Sequence, residues 1–436
     1  MWSDGSVHDV DWDRIHAEER AARPDAAWLD DDLLDFAAYR DGIPYARYAA
    51  LRDTRPVWRH PTAPTPRSPG GVGFWAVLGH PEVQTVSRDW RTYSALQGFA
   101  LTTARPDMQD RTILTTDPPR HTRIRKLISA GFTPRMIARL DELVVERTTQ
   151  VLDAAAARPT FNFVQEVAYR LPMHMIADIL GIPESDRDDV FRWTDVIMRH
   201  TDPALGMSMD EVRAAEGALF AYGAQLGAQK RRHPDDDVWS ILANATIDDD
   251  GEAFTLDAGE LDLFFLILTI AGSETTRNAI STGLCALHAD AAARERLRDD
   301  PTVAATATEE ILRWSSPVTC HLRTATLTHE LGGQTIEAGD RVAMFFPAAN
   351  RDPRAFADPD VFDITRDPNP HVAFGGGGVH YCLGAHLARR EITLVFRELL
   401  TRFPDWEVTG PVSQIVTGVE QTVAVSHDDI PVRLVP

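Results

Sequence analysis

Residues Phe374–Arg389 read FGGGGVHYCLGAHLAR, four glycines and a single cysteine followed by apolar residues at helical spacing. The spacing after Cys382 predicts a helix with one buried stripe, which places the cysteine at a helix N-terminus. Unpaired backbone N–H groups and the helix dipole favour the thiolate there, and the thiolate is the form that binds metals. The glycines let the backbone approach a ligand closely. Because no CxxC motif or His/Cys cluster accompanies the cysteine, zinc and iron–sulfur sites are disfavoured, and a macrocycle is expected to supply the remaining metal ligands.

This segment resembles the haem-binding signature of the cytochrome P-450 monooxygenases, F-x-x-G-x-x-x-C-x-G followed by a helix. The resemblance implies that Cys382 ligates the iron of haem b and that Phe374, His380 and Gly384 contact the haem. Cys382 follows Phe374 by eight positions, one more than in the pattern, so the sequence leaves open which glycine makes the turn under the iron. The longer loop is similar to that of the actinobacterial subgroup that oxidises sterols and methyl-branched lipid chains. The alternative is a buried free cysteine behind a flexible loop.

Composition limits the classes of protein that the chain can represent. Its 436 residues contain no dividing linker, so we expect a single domain over 1–436 with a polar, partly irregular segment at about 1–60. The formal net charge of −21 argues against nucleic acid or an anionic membrane as a partner. Three cysteines far apart fit a reducing cytoplasm. The longest apolar run, Leu263–Ala271, is too short to span a membrane, and no export signal is visible, so we expect a cytoplasmic monomer without a membrane anchor.

Hydrophobic periodicity predicts a mainly α fold with small antiparallel β-sheets, which is also the fold of the cytochrome P-450 family. The predicted helices are Arg120–Ala156, Val164–Leu180, Asp186–Arg199, Asp210–Arg232, Asp257–His288 and Thr302–Trp314. The predicted strands are Phe74–Leu78, Leu322–Leu327, Arg341–Phe346 and Thr422–Val425.

The central predicted helix contains polar residues where a buried helix should be apolar. Ala271 is followed by Gly272, Ser273, Glu274 and Thr275. A glycine inside a helix costs roughly 1 kcal/mol relative to alanine, so the run needs a reason. The Thr275 hydroxyl can bond the Ala271 carbonyl and widen the helix. Alternatively, two helices meet at Gly272, and Ser273 caps the second one.

The same run resembles the P-450 motif (A/G)-G-x-(D/E)-T-(T/S). The resemblance implies that Ala271 and Gly272 lie over the haem, that Thr275 orients O₂ and a water, and that Glu274 passes protons in from solvent.

Glu310 and Arg313 are three residues apart on a predicted helix and can therefore pair. Such pairs are usually solvated and contribute little. The resemblance implies instead a buried structural network in which Glu310, Arg313 and the later Arg351 brace the cysteine loop.

A haem carries two carboxylates, so its site should hold several cationic donors. His121 and Arg125 are four residues apart in a run similar to the family's D-P-P-x-H-x-x-x-R. Arg323 follows the predicted entry into a strand, and His380 precedes Cys382 by two residues. The resemblance assigns all four to the haem carboxylates, although each by itself could be an ordinary surface base.

The family varies its substrate pocket, so the sequence predicts the substrate less firmly than the chemistry. By their positions relative to the motifs, Val318, Thr319, Ile415 and Val416 should line an apolar pocket together with Ala271. The segments from 96 to 113 and from 197 to 209 are expected to form its lid.

Two segments of the acidic chain are rich in basic residues and could steer an acidic ferredoxin, unless they are only solvated helix surface. These residues are Arg120, Arg123, Arg125, Lys126, Arg135 and Arg139, and then Arg389, Arg390, Arg397 and Arg402.

The leading hypothesis is a haem-thiolate monooxygenase that oxidises a C–H bond of a hydrophobic small molecule, with electrons from a separate ferredoxin and ferredoxin reductase. One alternative is a peroxide-driven or oxidative-coupling enzyme of the same fold. The other is a non-catalytic haem protein that acts as a partner, which would not be expected to retain Cys382, Glu274 and Thr275.

Overall fold

The computed structural model describes residues 42–65, 68–100, 108–200, 205–249, 252–419 and 422–435, together with Leu33 and Tyr39. Most of the N-terminal segment predicted to be irregular, and residues 101–107 and 201–204 of the two predicted lid segments, lie outside this part of the chain. The described residues form a mainly α-helical fold with small β-sheets, as predicted.

The helices account for most of the regular structure, and a turn of π-helix (Val164–Ala168) directly precedes α5. In chain order they are α1 (Tyr45–Thr54), α2 (His80–Arg88), α3 (Arg120–Gly131), α4 (Pro134–Ala156), α5 (Arg170–Leu180), α6 (Glu184–Arg199), α7 (Met209–Arg232), α8 (Val238–Asn244), α9 (Ala258–Ala289), α10 (Ala291–Asp299), α11 (Ala304–Ser315), α12 (Phe346–Ala349) and α13 (Ala385–Arg402).

The strands are short and mostly antiparallel. They are β1 (Val57–Thr65), β2 (Ser68–Val77), β3 (Tyr93–Ser94), β4 (Phe161–Asn162), β5 (Ile247–Asp249), β6 (Glu252–Phe254), β7 (Cys320–Ala325), β8 (His329–Leu331), β9 (Gln334–Ile336), β10 (Arg341–Phe345), β11 (Asp405–Val408), β12 (Ser413–Val419), β13 (Thr422–Asp429) and β14 (Pro431–Val435). The largest sheet has the order β1-β2-β10-β7-β3, in which β2 and β10 are parallel. A second sheet has the order β11-β14-β4, and β5-β6, β8-β9 and β12-β13 are hairpins.

Helix α9 runs through the main hydrophobic core for 32 residues and packs against α5, α7, α11 and α13. Its N-terminus is fixed by a capping box in which Asp257 and Glu260 bond each other's backbone N–H groups. The helix is unbroken through Gly272, so the alternative of two helices meeting there is wrong. The helix with the acid and the threonine therefore contacts the helix that follows the cysteine.

The predicted helix over Arg120–Ala156 is two helices in the structure. Thr133 separates them because its side chain accepts a hydrogen bond from the backbone N–H of Met136 and thereby caps α4. Pro134 then occupies the first turn, where its missing N–H is harmless. The Thr-Pro pair was the available sequence signal for this break.

Within the described residues, no helix combines the length and apolarity that crossing a bilayer requires.

Candidate active site

The cysteine loop presents the Cys382 thiol at the start of α13. The backbone N–H of Cys382 donates to the Phe374 carbonyl at 3.0 Å, which closes the loop. Burial among protein atoms raises the pKa of the thiol, while the backbone N–H groups of Gly384 and Ala385 act in the opposite direction, as does the charge of Arg125. The side chain itself is exposed, as expected for a group in the wall of a crevice. A cation at this position would favour the thiolate further.

The glycines of the loop fit the backbone closely against α2. Gly375, Gly377 and Gly378 have φ angles of +91°, +100° and +78°, which disfavour residues with a Cβ. Ser87 Oγ donates to the Gly377 carbonyl at 2.9 Å. A Cβ on Gly378 would lie only 2.5 Å from the Ser87 carbonyl oxygen. The turn is thus shared by three glycines, and the lengthened loop is held against α2.

Behind the loop, Glu310 and Arg313 form a buried ion pair with both side chains at 0% exposure. Two guanidinium nitrogens of Arg313 donate to the two carboxylate oxygens at 2.8 and 2.7 Å. The second arginine at this carboxylate is Arg366, whose Nε lies 3.3 Å from Oε2. Asn369 Nδ2 and the backbone N–H of Asp363 donate to the same carboxylate, which is therefore fully satisfied.

Arg351, which the sequence assigned to this network, does not contact Glu310, although its NH1 and the NH1 of Arg313 donate to the same Pro359 carbonyl. Its guanidinium stacks over the Trp314 ring at 3.5 Å and the Tyr45 ring at 4.6 Å, and its NH1 donates to the Pro359 carbonyl at 2.8 Å. Arg351, which follows α12, thus contacts α1 through Tyr45 and α11 through Trp314. Its predicted place beside Glu310 is taken by Arg366.

Two further side chains connect this brace to the cysteine loop, and the sequence had not indicated either. Asn350 Oδ1 accepts from the backbone N–H of Val372, just before the glycines, at 2.8 Å. Glu309 accepts from Arg389 Nε at 2.6 Å and contacts His371 Nε2 at 3.0 Å. Because His371 precedes Cys382 and Arg389 follows it, Glu309 ties together both ends of the loop.

On α9, Thr275 and Ala271 lie on one face. Thr275 Oγ1 donates to the Ala271 carbonyl at 3.0 Å, as the sequence predicted. Ala271 is exposed although it lies near the middle of a core helix. Gly272 lies on a different side: a Cβ there would meet Ile176 Cδ1 of α5 at 2.2 Å, so this glycine serves helix packing. The open face of α9 is therefore formed around Ala271 and Thr275.

Glu274 precedes Thr275 in the sequence, but its side chain is buried and points toward Arg277. Its Oε1 accepts from Arg277 NH2 at 2.8 Å, and its side chain is 5% exposed. The sequence motifs do not include Arg277, although its spacing of three residues from an acid on a helix is a usable signal.

The predicted cationic donors converge near the cysteine loop. The imidazole rings of His121 and His380 lie 4.3 Å apart, and Arg125 NH1 donates to the Tyr381 carbonyl at 2.8 Å. Burial, followed by the charges of His380 and Arg125, lowers the pKa of His121 to about 3. Burial also lowers the pKa of Arg323 to about 10. These residues form a desolvated cluster with a surplus of positive charge.

Orphaned polar atoms show what this cluster can bind. Nε2 of His121 and Nε2 of His380 are buried without a hydrogen-bond partner among the described residues. The nearest acid, Asp117, has its Oδ1 at 3.9 Å from His380 Nε2, and it accepts from the Ala95 backbone N–H at 3.0 Å. Buried donors without partners are costly. A ligand with two carboxylates would satisfy them, so the residues present fit a haem.

Of the predicted pocket residues, Ile415 and Val416 lie on opposite faces of the β12–β13 hairpin. Ile415 lies opposite Ser426, whose hydroxyl is bonded to α9, and so Ile415 shares the face toward α9. Val416 packs in a different core cluster that also contains Cys320, so it does not share that face. Thr319 is buried, and Val318 is half-buried at the entry to β7.

An exposed thiol at a helix N-terminus, a cluster of cations for two carboxylates and an open helix face with a threonine together define a haem-thiolate protein. Comparison with known proteins gives the family. A family model for cytochrome P-450 matches residues 155–415, and the chain belongs to the cytochrome P-450 family. Its members are haem-dependent monooxygenases, and haem b is the cofactor.

Individual relatives are similar over most of the chain. The chain is 44% identical to cytochrome P-450 126 of Mycobacterium tuberculosis, over 87% of this chain and 92% of that protein. It is 38% identical to a methyl-branched lipid omega-hydroxylase of Mycobacterium bovis, over 89% of this chain and 92% of the relative. Among solved structures, a Mycobacterium marinum cytochrome P-450 in complex with pseudoionone has a TM-score of 0.82 and 35% identity, and the match covers 92% of this chain and 99% of the other.

Proposed function

We propose that this monooxygenase uses O₂ and two electrons from a separate ferredoxin system to hydroxylate or otherwise oxidise a C–H bond of a hydrophobic small molecule. The observation that carries the proposal is the exposed Cys382 thiol near His121 and His380, whose Nε2 atoms are buried with no hydrogen-bond partner in the described part of the chain. The helix that follows Cys382 packs against α9, which carries Glu274 and Thr275. The haem supplies the O₂ and C–H chemistry when bound. The residues of the chain bind the haem, deliver the protons and form the substrate pocket.

We assign the residues as follows. Cys382 ligates the iron, and His121, Arg125, Arg323 and His380 hold the haem carboxylates. Phe374 and Gly384 contact the haem around the thiolate; Gly384 suits this role because, apart from its neighbours along the chain, no described residue has an atom within 4 Å of where its Cβ would be.

Proton delivery is assigned to two residues of α9. Glu274 is the general acid, and its protons reach the open face through the Thr275 hydroxyl. In each turnover, O₂, two electrons and two protons convert R–H to R–OH and water. Ala271 leaves the space beside Thr275 open, because it is exposed and its side chain is only a methyl group.

The substrate class proposed is a steroid, a terpenoid, a branched alkyl chain or a natural-product intermediate. The methyl-branched lipid named for one relative and the pseudoionone bound by another support an apolar, methyl-branched molecule. The lengthened glycine loop, which resembles that of the lipid-oxidising subgroup, points in the same direction.

Electron delivery is assigned to a ferredoxin and its reductase, which would dock near the cysteine loop in the cytoplasm. Arg390 Nε lies 2.8 Å from Asp141 Oδ1 and joins α13 to α4, so the two basic segments do adjoin. Most of their cations, however, pair with acids on the same surface, as Arg389 does with Glu309. Steering by charge should therefore be modest, and the rate of reduction should fall only weakly with added salt.

The test is the difference spectrum of the reduced protein with carbon monoxide. A Soret band displaced far to the red marks thiolate ligation, and its absence would overturn the proposal. Cys382→Ala should abolish the band. Cys285→Ala should leave it unchanged, because that half-buried cysteine lies near the C-terminal end of α9 and not in the cysteine loop. Low-to-high-spin shifts with pseudoionone and testosterone then test the substrate class.

The alternative of a peroxide-driven enzyme is tested by Thr275→Ala. This variant should keep the carbon monoxide band but release more peroxide per NADH consumed, because O₂ is reduced without controlled proton delivery. Thr276→Ala, which removes the neighbouring hydroxyl, is the control. Unchanged coupling in Thr275→Ala, together with product formed from peroxide alone, would favour the alternative.

A further inference from the structure

Arg277 fixes the position of the acid on α9. It is 1% exposed, and its NH2 donates both to Glu274 Oε1 and to Ser426 Oγ on β13, each at 2.8 Å. Thr275, by contrast, is turned toward the face of Ala271. The Glu274 carboxylate is thus held on the side of α9 that meets the β12–β13 hairpin, away from the hydroxyl to which it should deliver protons.

A second acid contacts the same guanidinium from another helix. Arg277 NH1 lies 3.9 Å from Asp195 Oδ1 on α6, and the Asp195 side chain is 33% exposed. Arg277 is therefore placed between a buried acid and an acid that reaches solvent. The contact with Asp195 is longer than a hydrogen bond, so a small approach of α6 toward α9 would strengthen it.

The surroundings of Arg277 connect it to the elements around the pocket. Arg199, at the end of α6, lies 3.8 Å from Asp195 Oδ2 and 2.9 Å from Asp428 Oδ1 on β13. The Tyr169 ring lies 5.8 Å from the Arg277 guanidinium, and its hydroxyl donates to the Phe191 carbonyl of α6 at 2.9 Å. Burial raises the pKa of Asp195, while the charges of Arg199 and Arg277 act against it. A movement of α6 would therefore change the distances between Arg277 and the charged side chains of Asp195 and Arg199.

We propose that Arg277 is a positioning residue that holds Glu274 away from Thr275 and releases it when α6 brings Asp195 closer. The inference rests on the proposed function, because it requires that Glu274 delivers protons. Its consequence is that closure of α6 and proton delivery are coupled. A proton taken up from solvent by the released Glu274 carboxylate passes to the Thr275 hydroxyl, which gives its own proton onward, so each proton consumed is replaced from solvent.

The variant Asp195→Asn tests the coupling. Without the second acid, Arg277 stays with Glu274. NADH oxidation in the presence of pseudoionone should then slow by about fivefold, which corresponds to about 1 kcal/mol, and its solvent isotope effect should rise. The carbon monoxide band should be unchanged. Asp189→Asn is the matched control, because Asp189 lies on α6 in an exposed pair with Arg192. Equal rates and isotope effects in the two variants would overturn the inference.

Arg277→Lys distinguishes positioning from simple neutralisation of a buried charge. A lysine can pair with Glu274, but its single ammonium group cannot also span to Asp195. The inference expects Arg277→Lys to resemble Asp195→Asn and the double variant to be no slower than either one. If Arg277 only neutralises Glu274, both single variants should turn over at the wild-type rate.

The rate of NADH oxidation is measured whether or not pseudoionone is oxidised. A wild-type enzyme that consumes NADH without forming product would count against the proposed function, whereas an unchanged isotope effect in Asp195→Asn counts against the inference alone.

Discussion

Gly378 shows how one residue connects loop shape to cofactor binding. It requires a positive φ of +78°, and its missing Cβ also leaves room for the Ser87 carbonyl. Gly333, in the turn between β8 and β9, has a nearly equal φ of +77°, but nothing lies within 4 Å of its Cβ position. Comparing substitutions at Gly333 and Gly378 therefore distinguishes the cost of backbone strain from the cost of a steric clash.

We predict that Gly333→Ala lowers the free energy of unfolding by about 1 kcal/mol, the cost of left-handed backbone. Gly378→Ala should cost several times more, because the Ser87 backbone would have to move, and it should reduce haem retention. Urea unfolding and the amplitude of the carbon monoxide band measure the two effects. Equal losses of stability in the two variants would show that the contact with α2 is unimportant.

Glu391 is a buried acid, and within the described part of the chain no charged group offsets the effect of its burial. It is 2% exposed on α13, and its Oε2 has no hydrogen-bond partner among the described residues. Burial raises its pKa from 4.5 to about 8. Between these two values the folded protein keeps a proton that the unfolded chain has released. Stability contributed by the neutral carboxyl is therefore complete below pH 4.5 and is lost as the pH rises toward 8.

Glu391→Gln should remove this pH dependence, because the amide does not titrate. The difference in unfolding free energy between the variant and the wild type should grow by up to about 1.4 kcal/mol per pH unit through the window. Urea unfolding at several pH values measures it, with Glu398→Gln on the same helix as the control. Parallel stability curves for wild type and Glu391→Gln would contradict the prediction.

The packing of α9 against α5 depends on Gly272, whose Cβ would collide with the Ile176 side chain. Gly272→Ala should destabilise the protein, because overpacking costs about 1–3 kcal/mol and outweighs the gain in helix propensity. In an Ile176→Ala background the collision is gone, and the same substitution should stabilise by about 1 kcal/mol. Gly217→Ala on α7, where nothing lies within 4 Å, gives the propensity gain alone. Thermal unfolding compares the wild type with the three single variants and the double variant, and an unchanged sign of the Gly272→Ala effect in the Ile176→Ala background would refute the packing argument.

The helices and the separate motifs were predictable because both depend on residues near one another in the sequence. Periodicity indicated α9, and the four-residue spacing placed Thr275 over the Ala271 carbonyl. The predictions that failed depend on contacts between segments that are distant in the sequence. The choice of Arg351 instead of Arg366 is one case, because only the folded chain shows which guanidinium reaches Glu310.

The glycines illustrate the same limit. The sequence showed that the loop needs conformational freedom, but it could not show that Gly376 and Gly378 make room for α2, or that Gly272 makes room for Ile176. A glycine in the sequence does not reveal which residue will pack against it in the folded protein. The predicted haem role of Gly272 therefore stays a prediction, whereas its packing role follows from the structure.

Across the whole molecule, the cationic cluster opposes the stability of the haem-free chain. Arg323 is buried, and burial lowers its pKa to about 10. His121 lies close enough for its pKa to be lowered further by that charge. The charge of Asp117 acts against the effect of burial on Arg323, but no described acid forms an ion pair with this arginine. An unpaired buried cation costs free energy, and a ligand that binds only the folded state restores stability by mass action. The same arginine should therefore have opposite effects on the two forms of the protein.

We predict that Arg323→Leu raises the unfolding temperature of the haem-free protein or leaves it unchanged, and lowers that of the haem-loaded protein. The increase in unfolding temperature on haem binding should shrink accordingly. Arg341→Leu is the control: burial lowers the pKa of Arg341 to about 10 as well, but its NH2 donates to the Ala100 carbonyl, and we assign it no haem contact. That substitution should destabilise both forms equally. If Arg323→Leu also destabilises both forms equally, Arg323 braces the sheet and does not hold the haem.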